Sequence, residues 1–216
     1  MAIAERRKRE RTARRQAILD AAERIIVEVG YPAMTMADVA KAAELSKGTL
    51  YLYFDSRAAL AATVATRMLD RFLPVLRASL SETKTGLEAV RRLLQTYSEF
   101  SRTNPHHFRF ALSWISAAEQ IDDETDAFRV YKGRVGAVLT EAVAAIERGR
   151  ADGSIRGDVQ ALPQALQLWT SMLGIVLVDL NRESMASRLP MPVDLSELVL
   201  LHLDTLVRGL AAETER

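Results

Sequence analysis

Cysteine is absent from the 216-residue chain, which excludes disulfide frameworks, thiolate zinc sites, iron–sulfur clusters and cysteine nucleophiles together. Histidine is almost as scarce. His106, His107 and His202 are the full set, too few and too scattered for a multi-imidazole metal site, so no metal or other cofactor is expected. Long apolar runs are missing as well. The longest uncharged stretch, twenty residues between Asp158 and Asp179, is interrupted by Gln160, Pro163, Gln164, Gln167, Thr170 and Ser171, so it reads as a buried helix rather than a membrane span. The basic opening, MAIAERRKRERTARR, leads into no apolar secretory core. A cytoplasmic chain with no membrane partner is the expectation. No P-loop, dinucleotide fingerprint, nucleophile elbow or HExxH occurs, so neither enzymatic activity nor a catalytic residue is expected.

What is present is ordinary in amount and uneven in placement. Apolar residues make up 49% and charged residues 26%, as in globular chains of one or two domains. The net charge is only +1, yet residues 1–15 hold seven Lys or Arg against two Glu, a local +5 that leaves −4 for the rest. Such a basic arm suits one end neutralising phosphates, and equally suits a solvated, frayed terminus.

Breakers are sparse and helical periodicity is long. Ile18, Ala22, Ile25 and Val29 share one face of a helix of about five turns, closed by Gly30-Tyr31-Pro32. Two short helices follow, Thr35 to about Ala43 and Ser46 to about Tyr53, each opened by a hydroxyl that can cap the backbone and joined by Glu44-Leu45. Being too short to stand alone, they must lean on the first. A fourth helix carries Leu60, Val64, Met68, Phe72, Val75 and Leu76, with Pro74 expected to kink or end it. A fifth spans Leu87 to Phe100, a sixth opens at Asn104-Pro105 with Phe108, Ala111, Leu112 and Ile115 expected on its inner face, and a seventh starts at Asp122-Asp123-Glu124 and runs to the turn between Gly149 and Gly157. No stretch alternates as a strand would. The expected fold is all-α with about nine helices: an N-terminal three-helix helix-turn-helix domain, residues 1–57, and a larger C-terminal helical domain, residues 58–216.

The last two helices, about Val159 to Leu180 and Leu195 to Ala212, are apolar on most sides, so each is covered from more than one direction. Internal burial could supply that cover, as could a second subunit forming a four-helix bundle across a twofold axis. The homodimer reading assigns Leu173, Val176, Leu177 and Leu180 to the interface from one helix, and Val199, Leu206 and Leu210 from the other.

Residues 35–54, TMADVAKAAELSKGTLYLYF, read as helix, tight turn, helix, the smallest unit that carries one helix into a DNA major groove. Ser46, Lys47, Gly48 and Thr49 give the second helix a small, polar and basic first turn, while Leu50 and Phe54 can pack inward. Tyr51 and Tyr53 bring phenolic donors suited to phosphate oxygens.

From about Arg15 to Ala62 the chain resembles the DNA-binding domain of the TetR family of bacterial transcriptional regulators. The match runs through Ile18-Leu19-Asp20-Ala21-Ala22, Gly30-Tyr31, Thr35, Val39-Ala40, Ala43, Ser46-Lys47-Gly48-Thr49-Leu50-Tyr51, Tyr53-Phe54, Ser56-Arg57 and Leu60. It departs at Glu44, where the family usually has the turn glycine, at Arg57, where it has lysine, and at Ile26, where phenylalanine is common. The resemblance implies that Thr35 meets a phosphate, that Lys47, Thr49 and Tyr51 enter the major groove of a double-stranded operator, and that Tyr53 and Arg57 clamp phosphates. Thr35 and Ser46 also serve as caps, and Tyr51 and Tyr53 have an alternative as half-buried packing residues. The arm, with Arg11 and Arg14, would follow the backbone or the neighbouring minor groove. The resemblance further implies a homodimer and a small-molecule inducer held by the later helices. Tyr97, Phe100, His107, Phe110 and Trp114 are candidate lining residues, with Phe128, Tyr131, Trp169 and Met172. The expected role is a repressor bound to a palindromic operator and released by a small apolar or aromatic inducer, with an activator still open and a helical interaction module that binds no DNA as the alternative.

Overall fold

The computed structural model describes residues 2–116, 125–191, 194–195 and 197–212. Among these, ten α-helices succeed one another, one more than expected: α1 (Ala2–Val29), α2 (Met36–Ala42), α3 (Lys47–Tyr51), α4 (Arg57–Leu80), α5 (Gly86–Thr103), α6 (Pro105–Ser116), α7 (Asp126–Ala151), α8 (Ala161–Leu180), α9 (Arg182–Ala186) and α10 (Leu198–Leu210). The extra helix is the short α9. The seventh helix's expected start at Asp122-Asp123-Glu124 lies outside the described residues. A 3₁₀ turn, Tyr31–Ala33, follows α1, and the described residues contain no strand beyond one isolated bridge, Ile155 with Ala211. By packing, the chain divides into two units, each discontinuous in sequence: residues 1–68 with 109–133, and 69–108 with 134–216.

In the first unit α1 is one helix of 28 residues, so the basic arm is neither frayed nor extended. The cause is local. Ala, Arg, Glu and Lys dominate its first fifteen positions, all strong helix formers, and no Gly or Pro intervenes before Gly30. Arg6 and Glu10 pair one turn apart at 3.4 Å. Further along, Ile18, Leu19, Ala22 and Ile25 enter a core with Val39, Leu50, Phe54 and Leu60. Arg67 on α4 reaches Asp20 at 2.6 Å and Glu23 at 3.6 Å on α1. Short helices α2 and α3 are held against α1 by this core and by their caps, as their length requires.

Pro74 neither ends nor breaks α4, which continues to Leu80. A proline inside a helix forfeits about 3 kcal/mol, but here both flanks are fixed: Leu60, Val64 and Met68 in the first unit's core, Phe72 and Leu76 in the second's.

The second unit packs α5, α8 and α10 together around Leu76, Val90, Leu94, Ile146, Leu168, Met172 and Val207. Its tightest approach is backbone on backbone: a Cβ at Gly86 would lie 1.9 Å from the amide nitrogen of Gly149. The turn after α7 caps α5 from a distance. Asp152 accepts the Gly86 N–H at 2.7 Å and Ser154 Oγ the Leu87 N–H at 3.1 Å. Hydrogen bonds from Ser154 first, then from the Gly86 N–H, hold the Asp152 carboxyl below its ordinary value of 3.8. That same turn pins the end of α10 through Arg156 N–H to Leu210 O, 3.0 Å, and Ala212 N–H to Ser154 O, 3.1 Å. By length and composition alone α8 is apolar enough to cross a membrane; here Ala165, Leu168, Met172, Ile175 and Val176 enter the unit's core.

Candidate nucleic-acid interface

Two caps and one turn position the short helices. Thr35 Oγ1 accepts the Asp38 N–H at 3.2 Å, and Ser46 Oγ accepts the Thr49 N–H at 3.1 Å. Between them α2 ends in a double-bonded C-terminal turn: Leu45 N–H donates to Ala40 O at 2.8 Å and Glu44 N–H to Lys41 O at 3.1 Å. That motif needs a left-handed residue just past the helix, usually glycine. Glu44 fills the place with φ 56°, the one positive φ outside glycine among the described residues. The turn therefore keeps its shape and carries the strain, instead of being remodelled around the missing glycine.

Helix α3 is shorter than expected, five residues from Lys47 to Tyr51. Leu50 and Phe54 anchor it in the core, so Ser46, Lys47 and Gly48 stand exposed and Thr49 half-buried. Tyr51 is 41% exposed, which places it outward rather than among packing residues. Gly48 has no packing reason to be glycine, since an added Cβ would meet only Ser46 Oγ at 3.9 Å. Beside Tyr51, Leu52 is 75% exposed, an apolar tip on the outer face that the sequence reading passed over. The inward pair Leu50 and Phe54, four apart, already implied that the residue between them points out.

Tyr53 is half-buried, and Arg11 lies over its ring with 6.0 Å to the centroid. Arg15 sits over Phe54 at 4.9 Å, where partial burial lowers its pKa. Because α1 is continuous, Arg7, Arg11 and Arg14 fall four and three apart on the side of Ile18, the side that packs on the short helices. The arm is thus a cationic stripe whose Arg11, with the adjoining Arg15, reaches the residues just after α3.

Arg57, expected as a phosphate clamp, is turned toward the 3₁₀ turn. Its Nη1 donates to Tyr31 O, Pro32 O and Met34 O at 3.5, 3.4 and 3.3 Å, and the guanidinium covers the Tyr31 ring at 4.8 Å. A planar fork can reach several carbonyls where a lysine would bring one point charge. Here it clasps the 3₁₀ turn to the start of α4.

The nine residues expected to hold a ligand fall into separate groups. Phe110, Trp114, Phe128 and Tyr131 join Tyr31 in an aromatic cluster of the first unit, with Tyr131 raised in pKa by burial. Tyr97 and Phe100 join Phe72 and Phe108 in the second unit. There His107 Nε2 lies 3.3 Å from Arg71 Nη1, and Met172 is buried in the core. Trp169 is 39% exposed on the outer side of α8.

The expected dimer residues divide too. Val176, Val199 and Leu210 are buried within their own unit and offer no surface, whereas Leu173, Leu180 and Leu206 are partly exposed and Leu177 is 48% exposed. Leu162, Leu166, Trp169 and Leu177 make the outward stripe on α8, and Leu200 and Leu201 stand out on α10.

Residues 18–64 match the family model described as bacterial regulatory proteins, tetR family, and residues 90–206 the one described as tetracyclin repressor-like, C-terminal domain. The HTH-type transcriptional regulator RutR of Escherichia coli (strain K12) is 31% identical over 120 residues, 55% of this chain and 56% of that protein. AlkX, an HTH-type transcriptional regulator of Mycobacterium tuberculosis, is 39% identical over 66 residues, 31% of each chain. The chain thus spans about a third to a little over half of the curated relatives it matches. Among solved structures, FadR from Bacillus subtilis in complex with stearoyl-CoA superposes with a TM-score of 0.70 at 17% identity, covering 90% of this chain and 98% of that one. The ketosteroid transcriptional regulator KstR2 of Mycobacterium tuberculosis gives 0.64 at 19%, covering 93% and 96%.

Proposed function

The chain belongs to the TetR family and is a DNA-binding transcription regulator, and from this premise we propose that it is a cytoplasmic repressor that binds a palindromic operator as a homodimer and is released by a small apolar or aromatic inducer. Residues 1–57 form the reading head, and residues 58–216 supply the ligand-binding and dimerisation functions.

The observation that carries this reading is the division of α3 into two faces. Leu50 and Phe54 are buried, while Lys47, Gly48 and Tyr51 stand outward beside Thr49. Gly48, with open space where a side chain would fit, lets a nucleic-acid surface come close. Lys47, Thr49 and Tyr51 meet base edges or the groove walls, and exposed Leu52 suits a thymine methyl. Thr35, Ser46 and Tyr53 face the flanking phosphates. Arg7, Arg11 and Arg14 track the backbone from a helical arm. Arg57 acts at one remove, by holding the 3₁₀ turn that precedes α2. A second copy covers the outward apolar stripe of α8 and α10.

Footprinting on DNA that flanks the protein's own gene tests the reading. Protection of a palindrome is expected, with affinity falling steeply as salt rises; removing Arg7 and Arg14 together should flatten the log–log salt slope by about 0.9 per lost phosphate contact. Replacing Lys47 and Thr49 by alanine should abolish the protection. Persistence of the footprint in that double variant overturns the assignment of α3 as the reading helix.

A further inference from the structure

We infer that Arg15 is a phosphate-binding residue of the DNA interface, its guanidinium held on the Phe54 ring so that, with Arg11 one turn upstream, it grips a single backbone phosphate beside the reading helix. The inference rests on the DNA-binding reading above and goes beyond the exposed arginines of the arm.

Arg15 is half-buried, whereas residues 4–14 are all exposed. Its guanidinium carbon lies 4.9 Å from the centre of the Phe54 ring, and that of Arg11 lies 6.0 Å from the centre of the Tyr53 ring. Two consecutive aromatic residues just after α3 therefore each carry an arginine from consecutive turns of α1. Neither guanidinium makes a hydrogen bond or ion pair among the described residues. The nearest carboxylates on α1 are engaged elsewhere, Glu10 with Arg6 at 3.4 Å and Asp20 with Arg67 at 2.6 Å. Asp55, which follows Phe54, pairs with neither arginine.

This arrangement is unfavourable until an anion arrives. Two cations one turn apart on a helix repel, and burial against Phe54 lowers the pKa of Arg15 with no counter-charge in return. The ring face offsets part of that cost. It also does what a carboxylate would not: it fixes the plane of the fork and leaves the N–H donors uncommitted. A phosphate diester supplies what is missing, one negative charge shared by two oxygens that match the fork in pairs. Because Tyr53 and Phe54 follow directly on α3, that phosphate borders the groove entered by Lys47, Thr49 and Tyr51.

Arg15→Met tests the assignment, since methionine keeps a long apolar stem on Phe54 and is a good helix former. Binding to a mixed-sequence DNA duplex and to the footprinted operator fragment is titrated across a salt series, with thermal melts alongside. The variant should melt at or above the temperature of the unmodified protein, because an unpaired half-buried cation is gone. It should bind DNA about tenfold or more weakly, with a log–log salt slope flatter by about 0.9. Arg24→Met, exposed on α1 about 180° round from Arg15, should change neither quantity. Arg15→Lys keeps the charge but not the planar fork, so it should restore the slope and only part of the affinity. Neutral methylphosphonates placed singly along the operator fragment should reveal one position that weakens the unmodified protein and leaves Arg15→Met unaffected. A lowered Tm with the salt slope intact in Arg15→Met marks a structural arginine and overturns the inference, as does unchanged affinity. Full affinity in Arg15→Lys overturns it too, and that variant decides if the methionine one fails to fold. If the unmodified protein binds neither duplex, the DNA-binding reading falls and the inference with it; binding that Arg15→Met leaves unaltered defeats the inference alone.

Discussion

Replacing Glu44 by glycine should make the protein more stable. Glu44 holds φ 56° two residues past the end of α2, fixed there by the bonds from Leu45 N–H and Glu44 N–H back into the helix. A left-handed residue with a side chain costs about 1–2 kcal/mol, and glycine removes that cost. Glycine also adds conformational freedom to the unfolded chain, which takes back about 0.4–1 kcal/mol. The net gain is about 0.5–1 kcal/mol, a rise in Tm of roughly 1–4 °C for a chain of this size. Glu44 is exposed, so lost packing does not enter. Thermal and urea unfolding of Glu44→Gly, Glu44→Asn and Glu44→Ala separate backbone from charge: all three remove the carboxylate, but only Gly and Asn accept the left-handed region readily. The expected order is Gly, then Asn, then Ala at or below the unmodified protein. If Glu44→Ala gains as much as Glu44→Gly, the cause is the charge and the argument from strain is refuted.

Gly86→Ala should cost about 1–3 kcal/mol or more, because the new methyl would fall 1.9 Å from the Gly149 nitrogen and 2.2 Å from its Cα, and only backbone can yield. Gly136→Ala, which meets nothing within 4 Å, is the matched control and should be neutral or stabilising in the same thermal melts. Asp152 has its pKa depressed by the Ser154 and Gly86 contacts, so its contribution is present above the ordinary carboxylate value of 3.8 and lost as pH falls through the lower folded value. Urea midpoints measured across that acid range should fall more steeply for the unmodified protein than for Asp152→Asn. Leu177→Glu puts a charge on the exposed apolar stripe of α8; sedimentation velocity should show single subunits, with operator affinity reduced, and a retained dimer would move the interface elsewhere.

Much of the reading head was legible in the sequence because its signals are local. Thr35 and Ser46 announced the helix starts by their cap chemistry, and the spacing of Leu50 and Phe54 announced which side of α3 turns inward. The contacts of Arg57 were not legible, because its partners are carbonyls of a 3₁₀ turn, and Pro32 hints at that turn without fixing where its oxygens point. The arm was weighed by its charge, although the same Arg, Lys, Glu and Ala residues are strong helix formers and nothing between them and Gly30 stops the helix. At Pro74 one lost hydrogen bond was set against nothing, while burial on both flanks outweighs it. The broad apolar faces of α8 and α10 could not be apportioned from periodicity, which marks a residue as covered but not by what. Val176, Val199 and Leu210 went to the protomer's own core for that reason. Aromatic residues carry no period that sorts them between two clusters, so Trp114 and Tyr97 were grouped although they lie in different units.

An unbroken α1 turns the number of residues in the arm into an angular setting. Each residue added upstream of Arg14 swings everything before it by about 100° and displaces it by about 1.5 Å along the axis. One extra alanine after Thr12 would carry Arg7 and Arg11 well round the helix from the side on which Tyr53 lies, with every charge retained, whereas four extra residues would return them to nearly the same azimuth, about a turn farther from the domain. An extended tether would be indifferent to such an insertion. The arm's effect on binding is therefore governed by rotation as well as by charge.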